Sequence, residues 1–362
     1  MGGDEVGGNA ASYQPKTRRR AGVPFKSGNS AAHSRVRGDA GLAGVGRQAL
    51  GIGMQTMRAG VAGAGAMGRN HARVYSQLAG AELTAVYDAD PERAAAIAGE
   101  FGAKPVSSLE ELAALADVVS VAVPTVAHRE VGCRLMELGA HVLMEKPIAP
   151  SVEDARVLVE TSQRTGRVLQ IGHIERFNPV LRQLESKLTH PRFIEAHRLS
   201  PFPNRSIDIG VVLDLMIHDL EIILHLVNSP IASLDAVGVS VLTPNEDIAN
   251  ARLRFENGCV ANVTASRISP ERMRKIRVFQ EDCYLSLDYQ GQTGNMHWRE
   301  GMEIKRAEVE VEPGEPLKLE LEAFVKSAAA GAAPAVSGQQ GTAALAVALE
   351  ITRLIREGFA KP

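Results

Sequence analysis

The turn Gly63-x-Gly65-x-x-Gly68 constrains this chain more than any other stretch. A short apolar run at 58–62 reads as a strand entering it, and 70–78 reads as the helix that follows. This strand–turn–helix context separates a dinucleotide-binding turn from a chance cluster of glycines. Gly63 permits the tight turn, Gly65 lets backbone approach a pyrophosphate, and Gly68 allows the helix to pack on the strand. The helix start, where Met67 lies, offers amide hydrogens and partial positive charge to phosphates. A second strand at 83–87 ends at Asp88, twenty residues after Gly68. An acid there accepts hydrogen bonds from ribose hydroxyls and repels a 2′-phosphate, which favours NAD over NADP. Its bland reading is a strand-end turn residue.

Three further apolar runs fit buried parallel strands. One, at 117–123, leads into Pro124, Thr125 and His128; another, at 140–144, delivers Glu145, Lys146 and Pro147. The last, at 167–171, exits through Gly172 and His173. Ligands of open parallel sheets bind at the carboxyl edge of the strands, so Pro124, Thr125, His128, Glu145 and Lys146 are candidate cofactor contacts.

After Phe177 the period changes to alternation, at 193–199, 234–242, 249–255, 260–265, 276–279 and 284–289. Asn257-Gly258 between two of these runs is a hairpin turn. Strands in hairpin order predict an antiparallel sheet, with one face open to solvent or to a second subunit.

The spacing also predicts a helix over 211–227 carrying Asp214 and His218. Residues four apart share one helical face, and an imidazole near pKa 6.5 suits a general base. A lone histidine is more often a hydrogen-bonded structural residue; Asp214 beside it and Lys146 upstream favour chemistry. His218 and His225 lie about 10 Å apart along a helix axis and cannot share one ion, so no metal is expected. Arg176 and Asn178, after the last parallel strand, are candidate substrate contacts or a helix start. Arg267, Arg272, Arg274 and Arg277 form a basic cluster suited to a pyrophosphate or to a solvated sheet edge, with Arg267 the candidate substrate contact among them.

These residues carry a resemblance. The glycine turn, the Pro124-Thr125 strand end, Glu145-Lys146-Pro147 and Asp214-x-x-x-His218 together resemble the Gfo/Idh/MocA oxidoreductase family. The resemblance implies an α/β Rossmann NAD-binding domain, placed at 55–173, and an α+β domain with a large, mostly antiparallel open sheet at 174–339. It also implies that helix 340–358 packs back on the nucleotide domain, and that the enzyme is a homodimer or homotetramer through the open face. Lys146 would stabilise alkoxide character on a substrate hydroxyl; the family uses either the lysine or the histidine as proton acceptor, and here His218 is assigned that role with Asp214 orienting its ring. The segments GHIERFNP (172–179), DLMIHDLEIIL (214–224), DIANARLRFENGC (247–259) and RKIRVFQEDCYLSLDY (274–289) are similar to a branch that oxidises the 3-hydroxyl of UDP-N-acetylglucosamine, ahead of an aminotransferase on a route to 3-amino lipid A. Another sugar, an inositol, or a non-catalytic dinucleotide sensor are the alternatives.

Bulk composition sets the remaining limits. With 362 residues and 45% hydrophobic side chains, two domains with packed cores are expected. Cys133, Cys259 and Cys283 lack the spacing of a disulfide framework or zinc site, which fits buried thiols in the cytoplasm. A net charge of −2 gives no reason to expect nucleic acid. No apolar run approaches the ~20 residues of a membrane span. Residues 1–54 are glycine-rich and poor in large apolar side chains, so a disordered tail is expected, or a start placed too early with Met54 or Met57 as the true one. The pair of alternatives for Arg18, Arg19 and Arg20, an export signal or a transit peptide, lacks the apolar stretch or the composition it needs.

Overall fold

The computed structural model describes residues 56–202 and 209–359; the expected tail at 1–54 lies outside them. Its first sheet grows from the glycine turn. Strand β1 (Met57–Ala62) runs into the turn and helix α1 (Ala66–Tyr75) leaves it. The helix therefore starts four residues earlier than the pattern suggested, because Gly65 serves as its N-cap and Gly68 is already helical.

Strand β2 (Ala81–Tyr87) follows, then α2 (Pro91–Phe101), which Asp90 caps by accepting from the amides of Glu92 and Arg93. Next come β3 (Lys104–Val106), α3 (Leu109–Leu115), β4 (Val118–Val121), α4 (His128–Glu137) and β5 (His141–Glu145). Helix α5 (Val152–Thr165) begins where Ser151 accepts from the Asp154 amide, and β6 (Leu169–Gly172) closes the sheet. The order is β3-β2-β1-β4-β5-β6, with every pairing parallel. Strand order reverses between β1 and β4, and that crevice at the carboxyl edge is where such sheets bind dinucleotides.

Helix α6 (Pro179–Lys187) leads to the second sheet, whose strands are β7 (Phe193–Leu199), β8 (Ile231–Val239), β9 (Ile248–Phe255), β10 (Val260–Ser266), β11 (Met273–Phe279), β12 (Cys283–Asp288), β13 (Thr293–Glu300) and β14 (Glu303–Glu308). Their order is β14-β13-β12-β11-β7-β10-β9-β8; β7 pairs parallel with β10 and the rest are antiparallel. Between β7 and β8 lies α7 (Ile217–Val227), preceded by a wide π turn over Val212–Met216. One continuous α-helix was expected here.

Alternating burial along β7, β9 and β10 puts Ile194, Ala251, Leu253, Ala261 and Val263 beneath α7, whose Leu220, Ile222 and Ile223 are fully buried. Helix α8 (Pro316–Ala330) packs Leu321 and Phe324 with Tyr75 of α1. The last helix, α9 (Gly338–Phe359), lies against α5 and β6 and also against α7 and β8, so both sheets share it as a wall.

Candidate active site

The three glycines of the turn are needed for different reasons. Gly63 has φ 100°, and a Cβ there would sit 2.6 Å from the Ala122 carbonyl; one on Gly68 would lie 1.7 Å from the Gly63 oxygen. A Cβ on Gly65 would meet no protein atom within 4 Å. Gly65 thus leaves room outside the protein, beside exposed Met67 at the start of α1. At the end of β2 the Asp88 carboxylate accepts from the Ala64 amide at 2.6 Å and the Asp90 amide at 2.8 Å, which fixes it against the turn. A dinucleotide fits this cradle: phosphate at the helix start and ribose hydroxyls at Asp88.

Pro124 and Thr125 edge the crevice at the end of β4. His128 does not face it. Its ring is buried, with Nδ1 3.0 Å from the Pro147 carbonyl oxygen and Nε2 3.0 Å from that of Val123. It braces the end of β4 against the loop after Lys146, which joins Pro147 through a cis peptide. Glu145 is held by His71 of α1, whose Nε2 lies 2.9 Å from Oε1, while Nδ1 of the same ring is 2.9 Å from the Ser120 hydroxyl. His71 is the residue the sequence reading passed over; it sits three positions beyond Gly68, on the same helical face.

From the end of β5 the Lys146 ammonium donates to the Asp214 backbone carbonyl at 2.6 Å and meets Oδ1 of the same residue at 3.5 Å. The π turn is where this carbonyl is reached, and such turns recur at functional sites. Burial lowers the Lys146 pKa, opposed by the charges of Asp214 and Glu145. The structure so brings Lys146 and Asp214 together from opposite halves of the chain.

His218 stands one residue into α7. The expected Asp214 to His218 bond is not made: the carboxylate pairs with Lys146, and the buried Nδ1 of His218 has no partner among the described residues. Burial first, then the cations of Lys146 and Arg198, push its pKa well below 6.5. The ring meets His173, from the end of β6, edge to face with centroids 6.1 Å apart.

The arginines sort by burial. Arg267 is fully buried and pairs with Asp247 at 2.9 Å while donating to the Ile209 carbonyl and the Thr243 hydroxyl, so it offers no face to a ligand. Arg176 donates to buried Glu221 at 2.8 Å, and Asn178 caps α6 and donates to the Tyr289 carbonyl. All three substrate candidates are used inside the fold. Arg274 of β11, in contrast, is half exposed and lies 3.6 Å from Glu175. Arg198, fully enclosed, bridges Glu175 and Asp219 at 2.8 and 2.7 Å. Sequence reading had not singled out this triad, whose members are far apart in the chain.

The sequence model of an oxidoreductase family, described as having an NAD-binding Rossmann fold, matches residues 57–173, and that of the GFO/IDH/MocA C-terminal domain matches 181–286. The chain belongs to the Gfo/Idh/MocA family. It is similar to a UDP-N-acetylglucosamine 3-dehydrogenase from Acidithiobacillus ferrooxidans, 38% identical over 310 residues that span 84% of this chain and 98% of the relative. The solved structure of UDP-N-acetylglucosamine 3-dehydrogenase from that organism superposes with a TM-score of 0.79 at 37% identity, covering 83% of this chain and 98% of that one. A levoglucosan dehydrogenase in complex with NADH and levoglucosan shares the fold at a TM-score of 0.77 and 18% identity, over 84% of this chain and 98% of that one. The fold expectation therefore holds: a parallel Rossmann sheet joined to a large, mostly antiparallel one. The cofactor is NAD, as the NAD-binding family model over residues 57–173 describes, and no described helix is long and apolar enough to cross a membrane.

Proposed function

We propose that this protein is an NAD-dependent dehydrogenase that oxidises the 3-hydroxyl of UDP-N-acetylglucosamine to a ketone. One observation carries the reading: Lys146, delivered by the nucleotide-binding sheet, is bonded to Asp214 on the turn that leads into His218. The similarity to the Acidithiobacillus enzyme over nearly its whole length supports the substrate. When bound, NAD supplies the hydride acceptor.

Glycines 63, 65 and 68, with Met67 and the start of α1, would hold its phosphates, Asp88 its adenosine ribose, and Pro124, Thr125, Glu145 and Lys146 the nicotinamide side. His128 acts on that group only by fixing the loop that follows Lys146. Lys146 stabilises developing charge on the substrate oxygen, since a preorganised cation in a site of low dielectric is worth more than one in water. Neutral His218 accepts the hydroxyl proton. The Asp214 carboxylate serves Lys146 rather than the imidazole. Neither Arg176, Asn178 nor Arg267 contacts substrate in this reading.

The 3-keto product is the kind of carbonyl that an aminotransferase converts to an amine, as a precursor of 3-amino lipid A requires. We place the enzyme in the cytoplasm, with residues 55–173 as the nucleotide domain and 174–339 as the substrate and assembly domain. It associates through the open face of the second sheet, where Asp235, Val237 and Val239 of β8 are exposed. The test is direct: purified protein, NAD and a panel of nucleotide sugars and free polyols, followed by the absorbance of reduced nicotinamide. UDP-N-acetylglucosamine should react, and His218→Ala should lower turnover by about 10²–10⁴-fold with NAD binding retained. Turnover of a free polyol alone would discard the nucleotide-sugar assignment.

A further inference from the structure

His173 enters none of the steps above, yet its surroundings are unusual. It follows Gly172 at the carboxyl end of β6, is 1% exposed, and has no partner for either ring nitrogen among the described residues. Nδ1 of His218 is in the same condition. Buried polar atoms in native proteins are nearly always paired, and the exceptions mark strain, function or a bridging water. Here two such rings meet at 6.1 Å and 88°, beside Lys146.

The charged neighbours narrow what His218 can use. The ionisable groups whose charge weighs most on it are Lys146 at the end of β5, Arg198 on β7, His173 at the end of β6 and Arg274 on β11. Lysine and arginine only donate hydrogen bonds, whereas a neutral imidazole has one nitrogen that accepts. The carboxylates of this region each bond a cation: Asp214 meets Lys146, Asp219 and Glu175 meet Arg198, and Glu221 meets Arg176 through Oε1. That leaves His173 as the acceptor within this set. No direct hydrogen bond joins the two rings, whose centroids are 6.1 Å apart, and where two polar groups do not meet directly the bond is commonly made through one water.

We propose that His173 is the positioning residue of the catalytic base: one bridging water accepts from Nδ1–H of His218 and donates to a ring nitrogen of His173, which leaves the Nε2 lone pair of His218 free for the substrate hydroxyl. The proposal rests on the reading of His218 as the base. In the proton-transfer step the substrate O–H bond breaks and an N–H bond forms at Nε2. The resulting imidazolium keeps its Nδ1 hydrogen and shares it with the water and His173. Burial, then the charges of Lys146 and Arg176, bring the His173 pKa down to about 3, so this ring stays a neutral acceptor in the working range. The tautomer of a histidine is set by the bond its other nitrogen makes, and that bond is otherwise missing here.

The experiment uses the full chain with NAD bound and histidine side chains labelled with nitrogen-15. Long-range nitrogen–proton correlations report the tautomer of His218, assigned by comparison with His218→Gln. The expected result is hydrogen on Nδ1 in the wild type and a mixture in His173→Ala. With UDP-N-acetylglucosamine, His173→Ala should lose about 10-fold or more in kcat at unchanged KM, and His173→Gln, whose amide can still accept from the water, should recover most of it. Hydrogen on Nε2 of His218 in the wild type overturns the proposal, whether or not the alanine variant folds. An unchanged kcat in a folded His173→Ala enzyme does the same. If no nucleotide sugar reacts, the spectrum still decides the tautomer, and that failure belongs to the substrate assignment alone.

Discussion

Gly65→Ala separates cofactor binding from folding, because Gly65 differs from its two companions in what surrounds it. Its backbone sits at φ −75° and ψ −170°, open to any residue, and an added Cβ would touch nothing in the protein. Replacing glycine by alanine at such a position narrows the unfolded ensemble and stabilises by about 0.4–1 kcal/mol. Gly65 is also the N-cap of α1, where alanine is a poorer choice than glycine by a comparable amount. The two effects offset, so the melting temperature of the apoprotein should stay within a few degrees of wild type. NAD affinity should not. A methyl group placed where backbone must approach a pyrophosphate costs about 1–3 kcal/mol if overpacking in a core is the guide, which is about 5- to 150-fold in Kd. Gly63→Ala is the control. Its φ of 100° is strained for alanine, and the new Cβ would lie 2.6 Å from backbone atoms of Ala122, so it should lower stability by about 1–3 kcal/mol or more before NAD is added. Calorimetric titration with NAD and thermal melts of both variants decide the matter. A Gly65→Ala protein that binds NAD as tightly as wild type would show that the phosphates do not lie on this turn.

Two further outcomes follow from named carboxylates. NAD should bind more tightly than NADP, and Asp88→Ser should narrow the difference by about 1–4 kcal/mol, the range of one charge repulsion at 4 Å between water and a protein surface; equal wild-type affinities would sink the assignment. Glu320 of α8 is fully buried with neither carboxylate oxygen paired among the described residues, and burial followed by the charge of Glu145 raises its pKa well above 4.5. The folded state then keeps a proton that the unfolded chain releases, so stability is full below pH 4.5 and falls as pH rises toward the folded pKa, by at most about 1.4 kcal/mol per pH unit. Glu320→Gln should therefore melt higher than wild type at pH 8, with the gap closing as pH approaches 4.5; a constant gap would mean that Glu320 is not protonated in the fold.

How much of this was legible in the sequence depends on how local the information was. The glycine turn, Asp88 and the strand ends at Pro124 and Lys146 could be placed because each lies within a few residues of the signal that announces it. The Asn257-Gly258 hairpin is equally local, and Gly258 has φ 86° as such turns require. Strand β14 lies at the sheet edge with β13 next to it, and both carry few buried side chains, so the apolar alternation that marks a strand is absent. The three-residue β3 is too short to show a period. The π turn before α7 was invisible since its five residues keep the apolar spacing of an ordinary helix. Pairing of charges was the larger loss. Arg267 and Arg274 are seven residues apart and alike in composition, yet one is fully buried against Asp247 and the other half exposed near Glu175. Which carboxylate meets which guanidinium is fixed by register across the sheet and by the fall of α7, neither of which a local pattern records.

That pairing in turn determines which group can take the substrate proton. Helix α7 and the turn before it carry Asp214, Asp219 and Glu221, and each is claimed by a cation: Lys146, Arg198 and Arg176 respectively. Burial first, then the charges of Lys146, Arg198 and Arg274, disfavour a protonated His218. A base whose pKa is lowered is in its accepting form at every pH above that value. With His218 as base, kcat/KM should therefore stay level as pH falls through 6.5 and drop only below it. Lys146 as base predicts the opposite course. Its pKa is lowered by burial, opposed by the charges of Asp214 and Glu145, and the neutral amine forms only as pH rises, so kcat/KM would climb with pH. Initial rates with saturating NAD from pH 5 to pH 9 distinguish the two. A profile that rises steadily through neutrality, and that persists in His218→Ala, would transfer the proton to Lys146 and leave His218 as a hydrogen-bonding contact.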